Sequence, residues 1–253
     1  MSDNRTMTVE ITSEDGFTLP AYVALPPRAP KGAIVVLQEI FGVNSHIRSV
    51  TDRFAQAGYL AVAPATFHRI KEGVELGYTA EDMGAGMALK AAVEALMSPA
   101  GNAITPLVMQ DIQAAVKYAA TAAKMSTEDT VHTGGRGALV GVVGYCWGGL
   151  LTWRAACMLQ GVAAAVPYYG GGITVGDEAT RKPLCPVLCH FGDQDKHITL
   201  PTVHAFKAAQ TGSKVEIYAA DHGFNCDQRG SYNAPAATLA LERTLKFFEK
   251  HVG

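Results

Sequence analysis

The sequence predicts an α/β protein built on a mostly parallel sheet of about eight strands with helices on both faces. Short, almost wholly apolar runs recur along the chain, as strands buried on both faces require. Each is followed by a stretch with apolar residues three or four apart, the period of a helix packed on a sheet. At 253 residues and 48% hydrophobic content the chain can bury one large core. No repeat or low-complexity linker divides it, so residues 1–253 read as a single domain.

Met7 to Ile11 and Phe17 to Val23 alternate apolar and polar residues around Asp15-Gly16, which predicts an opening antiparallel hairpin. Ala33 to Leu37 is the first buried parallel strand. Ile47, Val50, Phe54 and Ala57 then mark a helix that Gly58 caps, and Leu60 to Ala63 is the next strand. Thr66 to Thr105 fits least well, because its glycine- and alanine-rich middle, Gly73 to Ala92, runs into Ser98, Pro99, Gly101 and Asn102. It reads as one helix plus irregular chain, either an ordinary surface segment or a wall or lid over the strand ends. The strands Leu139 to Val143, Ala163 to Tyr168, Val187 to Phe191 and Val215 to Tyr218 follow, with helices Val108 to Ala123, Leu150 to Gln160, Pro201 to Ala209 and Ala234 to His251. In such sheets chemistry sits at the carboxyl ends of the strands.

Composition narrows the function. A net charge of −2, with no basic block, argues against nucleic acid as a partner. The longest nearly apolar stretch, Ala138 to Trp153, is interrupted by Gly141, Gly144, Gly148 and Gly149 and is shorter than a membrane span. The start, Met1 to Thr12, lacks a secretory pattern, so the expected location is the cytoplasm. Cys146, Cys157, Cys185, Cys189 and Cys226 have no C-x-x-C spacing and are expected to be reduced.

The sharpest signal is Gly144-Tyr145-Cys146-Trp147-Gly148-Gly149, between a strand and a helix. It has the form of a nucleophile elbow, in which a strained turn exposes the central side chain and small residues are needed two before and two after it. Cys146 takes the nucleophile's place at a helix N-terminus, which favours thiolate and aims the Trp147 amide at a developing oxyanion. The plainer alternative makes Cys146 a small packed residue and the glycines a means of close approach.

A nucleophile needs a base, and the base an orienting acid. Gly192-Asp193-Gln194-Asp195 follows one strand and Asp221-His222-Gly223-Phe224 the next. Cys146, Asp195 and His222 run in the nucleophile, acid, histidine order of α/β-hydrolases, with Asp193 competing for the acid's place. Gln38-Glu39-Ile40-Phe41-Gly42 ends the first parallel strand, where the Ile40 amide is placed to be the second oxyanion donor. Glu39 is either an acid acting on the thiol or a salt-bridge partner of Arg48 or Arg53.

Taken together, Gln38 to Asn44 with Arg48, Ala57-Gly58-Tyr59, Val143 to Gly149, His190-Phe191-Gly192 with Asp195, and His222-Gly223-Phe224 resemble the dienelactone hydrolase family, the carboxymethylenebutenolidases, over nearly the whole chain. The resemblance implies an α/β-hydrolase fold and a triad of Cys146, His222 and Asp195. It also implies that Glu39 activates the cysteine when substrate binds, and that an activated lactone, dienelactone, is opened to the keto acid maleylacetate without cofactor or metal. Family members hold the lactone's carboxylate with arginines, one of them shortly after the catalytic histidine. Here the position four beyond His222 is Cys226, and the nearest arginine is Arg229. Arg69, Lys71, Tyr78 and Lys90 are candidates in the earlier segment, and Arg69, Tyr78 and Phe224 are the expected substrate contacts. Trp147 and Trp153 are expected around the nucleophile helix.

The remaining histidines, His46, His68, His132, His190, His197, His204 and His251, show no metal-ligand spacing. Only His68 is placed to face the site, and the rest read as surface or supporting residues. The expected partner is a small lactone or ester, and the expected state a monomer or small homo-oligomer. A broader carboxylesterase or thioesterase using the same triad is the alternative enzyme. A non-catalytic binding protein of the same fold is the alternative from another class, against which the complete triad argues.

Overall fold

The computed structural model describes residues 5–97, 106–126 and 138–253; the end of the irregular segment from Ser98, and His132, lie outside them. Alternation of inward apolar and outward polar residues drives the opening hairpin. Strand β1 (Arg5–Thr12) pairs antiparallel with β2 (Thr18–Leu25) across a turn that Gly16 enters at φ 85°, and Leu19, Ala21 and Val23 of β2 face the core. Strand β2 also runs antiparallel to its other neighbour, so it alone opposes the sheet.

The apolar runs form the remaining strands, β3 (Ala33–Leu37), β4 (Leu60–Pro64), β5 (Val140–Tyr145), β6 (Val162–Tyr168), β7 (Leu188–Gly192) and β8 (Lys214–Tyr218). The eight-stranded order is β1-β2-β4-β3-β5-β6-β7-β8, with β3 through β8 parallel. Every residue of β3, β4, β5 and β7 is buried, the physical reason for their unbroken apolarity.

Helices α1 (Ser45–Gln56), α2 (Ala80–Glu94), α3 (Leu107–Met125), α4 (Trp147–Met158), α5 (Gly176–Thr180), α6 (Leu200–Ala209) and α7 (Ala234–His251) complete the layers. In α1 the side chain of Asn44 accepts from the Ile47 amide, and Ile47, Val50 and Phe54 form the buried stripe. Gly58 then takes φ 100° just past the cap, as its position after the last apolar residue predicts. Helices α1 and α7 share a face through Phe54 and Phe248, whose rings are 6.0 Å apart. Truncating either buried ring to alanine is expected to cost about 3–5 kcal/mol.

Among its described residues the irregular segment holds one helix, α2, opened by a capping box between Thr79 and Asp82. The chain before it is a wall: Leu76 donates its amide to the Phe41 carbonyl at 2.8 Å, and Gly42 bridges to Glu75. Gly86 of α2 lies on the Ile40 carbonyl so closely that a Cβ there would fall 2.3 Å away. The short α5 has no sequence counterpart, because five residues carry too little periodicity to register.

Candidate active site

Strand β5 extends through Tyr145, so the elbow is a single residue. Cys146 sits at φ 54° and ψ −115°, outside the conformations an L-residue prefers, between β5 and α4. The glycines around it are there for space. A Cβ on Gly144 would lie 2.2 Å from the Gly148 carbonyl oxygen, and one on Gly148 2.3 Å from that of Gln38 and 2.4 Å from that of Leu37. The Cys146 amide donates to the Tyr168 carbonyl at 3.1 Å, tying the strained residue to β6.

The loop after β7 supplies Asp195 rather than Asp193, which is exposed. One Asp195 oxygen accepts the amides of His197 (2.8 Å) and Ile198 (3.1 Å), and the other lies 2.7 Å from His222 Nδ1. With Nδ1 engaged, Nε2 is left for the Cys146 side chain, with which His222 also hydrogen-bonds. Burial opposes charge on His222, but the hydrogen bonds to Asp195 and Cys146 outweigh it and push its pKa up to about 10. Burial likewise acts to raise Asp195, and the His222 contact reverses the sign and leaves its pKa lowered.

Two amides next to the site residues in sequence lack a backbone acceptor. That of Trp147 opens α4 and has no intrahelical partner by geometry. That of Ile40, in the loop after β3, has none among the described residues. Trp147 itself is buried, stacked on Phe67 at 5.0 Å, with Nε1 donating to Glu94 at 3.0 Å.

Glu39 is 1% exposed and pairs neither with Arg48 nor with Arg53. Its Oε1 meets Arg229 Nη1 at 3.2 Å, while Arg48 binds Glu75 at 2.7 Å. Its Oε2 is buried with no hydrogen-bond partner. Arg229 reaches back from three residues beyond Cys226. Successive turns, Cys226 amide to Gly223 carbonyl and Arg229 amide to Cys226 carbonyl, bring its guanidinium over Gly223 and beside the rings of Phe41 and Tyr78. Burial works against its charge, but Glu39 and Cys146 raise its pKa on balance.

Three expected substrate contacts are placed differently from one another. Arg69 is withdrawn from that role: Asp111 holds its guanidinium in two bonds of 2.8 Å and Asp15 in another, which ties the hairpin to α3. Phe224 is fully buried behind His222, packed on Tyr169 and Tyr218, and has no surface to offer a substrate. Tyr78 does stand at the site, edge-on to Phe41, with its hydroxyl accepting from Asn44 at 3.1 Å. His68 lines a different cavity, of about 150 Å³, with Gln38, Arg48 and Lys71; Cys146, Glu39 and His222 are not part of its wall. His190 is a core residue held by Tyr218 and Thr244, and Trp153 packs α4 against Phe206 of α6.

Tyr169 escaped the sequence reading. It follows β6 at φ 35°, its ring 5.1 Å from that of His222 and its hydroxyl buried without a partner. Its signal was available, since Tyr169-Gly170-Gly171-Gly172 closes a parallel strand on the carboxyl edge where the other site residues lie.

The chain is similar to known proteins over nearly its whole length. The dienelactone hydrolase family model matches residues 19–252. A provisionally named carboxymethylenebutenolidase of Synechocystis sp. is 33% identical over 261 residues, covering 98% of this chain and 97% of the relative. The carboxymethylenebutenolidase of Pseudomonas putida is 32% identical over 256 residues, with 94% of each covered. A crystal structure from Klebsiella pneumoniae subsp. pneumoniae, of a provisionally named dienelactone hydrolase, superposes with a TM-score of 0.78 at 30% identity over 99% of this chain and all of that one. The chain therefore has the α/β-hydrolase fold and belongs to the dienelactone hydrolase family of carboxylic ester hydrolases.

Proposed function

We propose that this protein opens small activated lactones or esters, of which dienelactone is the prototype, with Cys146 as nucleophile. The observation that carries the reading is the strained Cys146 at the head of α4, hydrogen-bonded to a histidine that Asp195 orients. A strained nucleophile held against an oriented imidazole is the geometry of acyl transfer.

In this scheme the Cys146 thiol gives its proton to Glu39, whose buried Oε2 has no partner, and His222, whose pKa the contacts with Asp195 and Cys146 push up to about 10, holds the proton that the leaving group needs. The thiolate attacks the carbonyl carbon while the amides of Ile40 and Trp147 hold the oxyanion. The ring C–O bond then breaks, and the leaving enolate oxygen takes its proton from His222. Water attacks the thioester with the now neutral His222 taking its proton, the C–S bond breaks to release the acid, and the departing thiolate recovers its proton from Glu39, which restores the resting site. A thiolate suits an enolate leaving group, because with a poorer alkoxide the sulfur departs first and the adduct reverts.

Arg229 is the carboxylate receptor in this scheme. An anionic substrate that takes its guanidinium releases Glu39 Oε1, so binding and activation of the nucleophile are coupled. A second reading follows from the same contact: with Arg229 committed to Glu39 and Cys226 where the family carries an arginine, neutral esters are the preferred substrates.

The test is turnover of cis- and trans-dienelactone, followed by loss of ultraviolet absorbance, with wild type, Cys146→Ala and Arg229→Met. Loss of turnover in Cys146→Ala, with a raised KM for dienelactone but not for a neutral aryl ester in Arg229→Met, is expected. No dienelactone turnover by folded wild type, with aryl esters hydrolysed, favours the second reading. Activity retained in Cys146→Ala overturns the nucleophile.

A further inference from the structure

The histidines and cysteines show no metal-ligand spacing along the sequence, yet the fold brings Glu39, His46 and Cys226 together from three separate segments. One donor atom of each lies within 4.8 Å of the others, and all three side chains are buried. Glu39 comes from the loop after β3, His46 from the first turn of α1, and Cys226 from the loop after β8.

Two of these donors have no partner. Glu39 Oε2 and His46 Nε2 are each buried without a hydrogen bond, and a lone pair left unmet in the interior is destabilising unless a ligand satisfies it. The tautomer follows from the contacts: His46 Nδ1 lies 3.0 Å from Asp227 Oδ1, a carboxylate oxygen that can only accept, while Nε2 has nothing to donate to, so Nδ1 carries the hydrogen and Nε2 presents its lone pair. A carboxylate behind a histidine is the arrangement that orients metal-binding imidazoles. Ser45 to Gln228, at 3.0 Å, fastens α1 to the Cys226 loop beside it.

We infer that Glu39 Oε2, His46 Nε2 and Cys226 Sγ form a binding site for a soft divalent cation of the zinc and cadmium class. Thiolate, imidazole and carboxylate together suit such an ion, whereas magnesium and calcium prefer oxygen alone. Bond lengths of roughly 2.0–2.3 Å put tetrahedral donors about 3.3–3.8 Å apart, so side chains whose donors lie within 4.8 Å of one another need to close by at most about 1–1.5 Å. Binding releases one proton, that of the Cys226 thiol, and leaves the fourth position to the Tyr78 hydroxyl or water. Arg229 stays on the other oxygen of Glu39.

The consequence rests on the function proposed above. An ion on Oε2 removes the acceptor for the Cys146 proton, so the metal inhibits reversibly without touching the nucleophile.

The ion used in the test is cadmium, whose thiolate charge-transfer absorbance reports the sulfur directly. Titration of wild type is expected to give one equivalent of the band. The band should persist in Cys146→Ser, vanish in Cys226→Ser, and need about 10- to 100-fold more cadmium in Asp227→Asn, which leaves all three ligands in place. Circular dichroism checks that each variant is folded. A band that survives Cys226→Ser, disappears in Cys146→Ser, or is absent from wild type overturns the site. The spectroscopic arm stands apart from catalysis. One-equivalent binding with hydrolysis unaffected would leave the metal site standing and refute the role given to Glu39, while inhibition relieved by a chelator supports both.

Discussion

Gly148→Ala tests whether the elbow and the Ile40 loop act as one rigid unit. The new Cβ would lie 2.3 Å from the Gln38 carbonyl oxygen and 2.4 Å from that of Leu37. Since Cβ atoms essentially never approach other atoms closer than 3.0 Å, α4 and the 37–38 backbone must part by about 0.7 Å, the gap from 2.3 to 3.0 Å. Both obstacles are backbone, so no side-chain rotation relieves them, and Ile40 is only two residues further on. Overpacking of this kind costs about 1–3 kcal/mol. A displacement approaching 1 Å between positioned groups costs on the order of 10²-fold in rate. Urea unfolding should therefore show a lower midpoint at unchanged slope, and aryl ester hydrolysis should fall about 10²-fold in kcat/KM. Gly171→Ala is the control, because a Cβ there meets nothing within 4 Å. Lost stability with wild-type activity would refute the oxyanion role of the Ile40 amide. An unchanged midpoint would refute the contact itself.

Arg69→Met should lower stability by about 3–5 kcal/mol, the cost of leaving buried Asp111 without its charged partner and with only the Ser13 hydroxyl, while KM per folded molecule stays unchanged; a raised KM would return Arg69 to the substrate. The pKa of His222 is raised from 6.5 to about 10 on folding, so its contribution to stability is full below pH 6.5 and is lost as pH climbs through 10. The unfolding midpoint of wild type should fall across that window relative to Asp195→Asn, which lacks the contact, and parallel profiles would refute the assignment. Asp195→Asn should also lower kcat by up to about 10⁴-fold with the His197 and Ile198 amide contacts retained, and a small effect would return the orienting role to Asp193.

Strands β3, β4 and β5 were legible because burial on both faces leaves no room for polar residues, and the chain writes that as an unbroken apolar run; the edge strand β8, with Lys214 exposed and Glu216 half-buried, carries the weaker pattern. The elbow was legible for the complementary reason: backbone contacts of 2.2–2.4 Å at Gly144 and Gly148 exclude every side chain. What the sequence does not encode locally is which side chain meets which across loops. Arg229 looked displaced from the family's position by three residues, yet two successive turns return its guanidinium to Glu39. Arg69 looked free for a carboxylate, and only the packing of α3 against the hairpin shows that Asp15 and Asp111 hold it. Phe224 is two residues from His222 in sequence, yet across Gly223, at φ 80°, its ring is fully buried against Tyr169 and Tyr218.

Glu39 is where these strands of reasoning meet, because its two oxygens are not equivalent. Oε1 is held by Arg229 and Oε2 is buried without a partner, so one carboxylate serves both a fixed contact and an open one. The open oxygen is a place for the Cys146 proton or for a cation at His46 and Cys226, and it cannot hold both. Substrate and metal are therefore expected to compete even though they occupy different atoms: an anionic lactone should weaken cadmium binding, and cadmium should raise the apparent KM less than it lowers kcat, since it blocks the proton acceptor rather than Arg229. A neutral ester, which does not engage Arg229, should meet the same loss of kcat. Cadmium that raised KM alone would instead place the ion in the substrate's path and refute the division of the two oxygens.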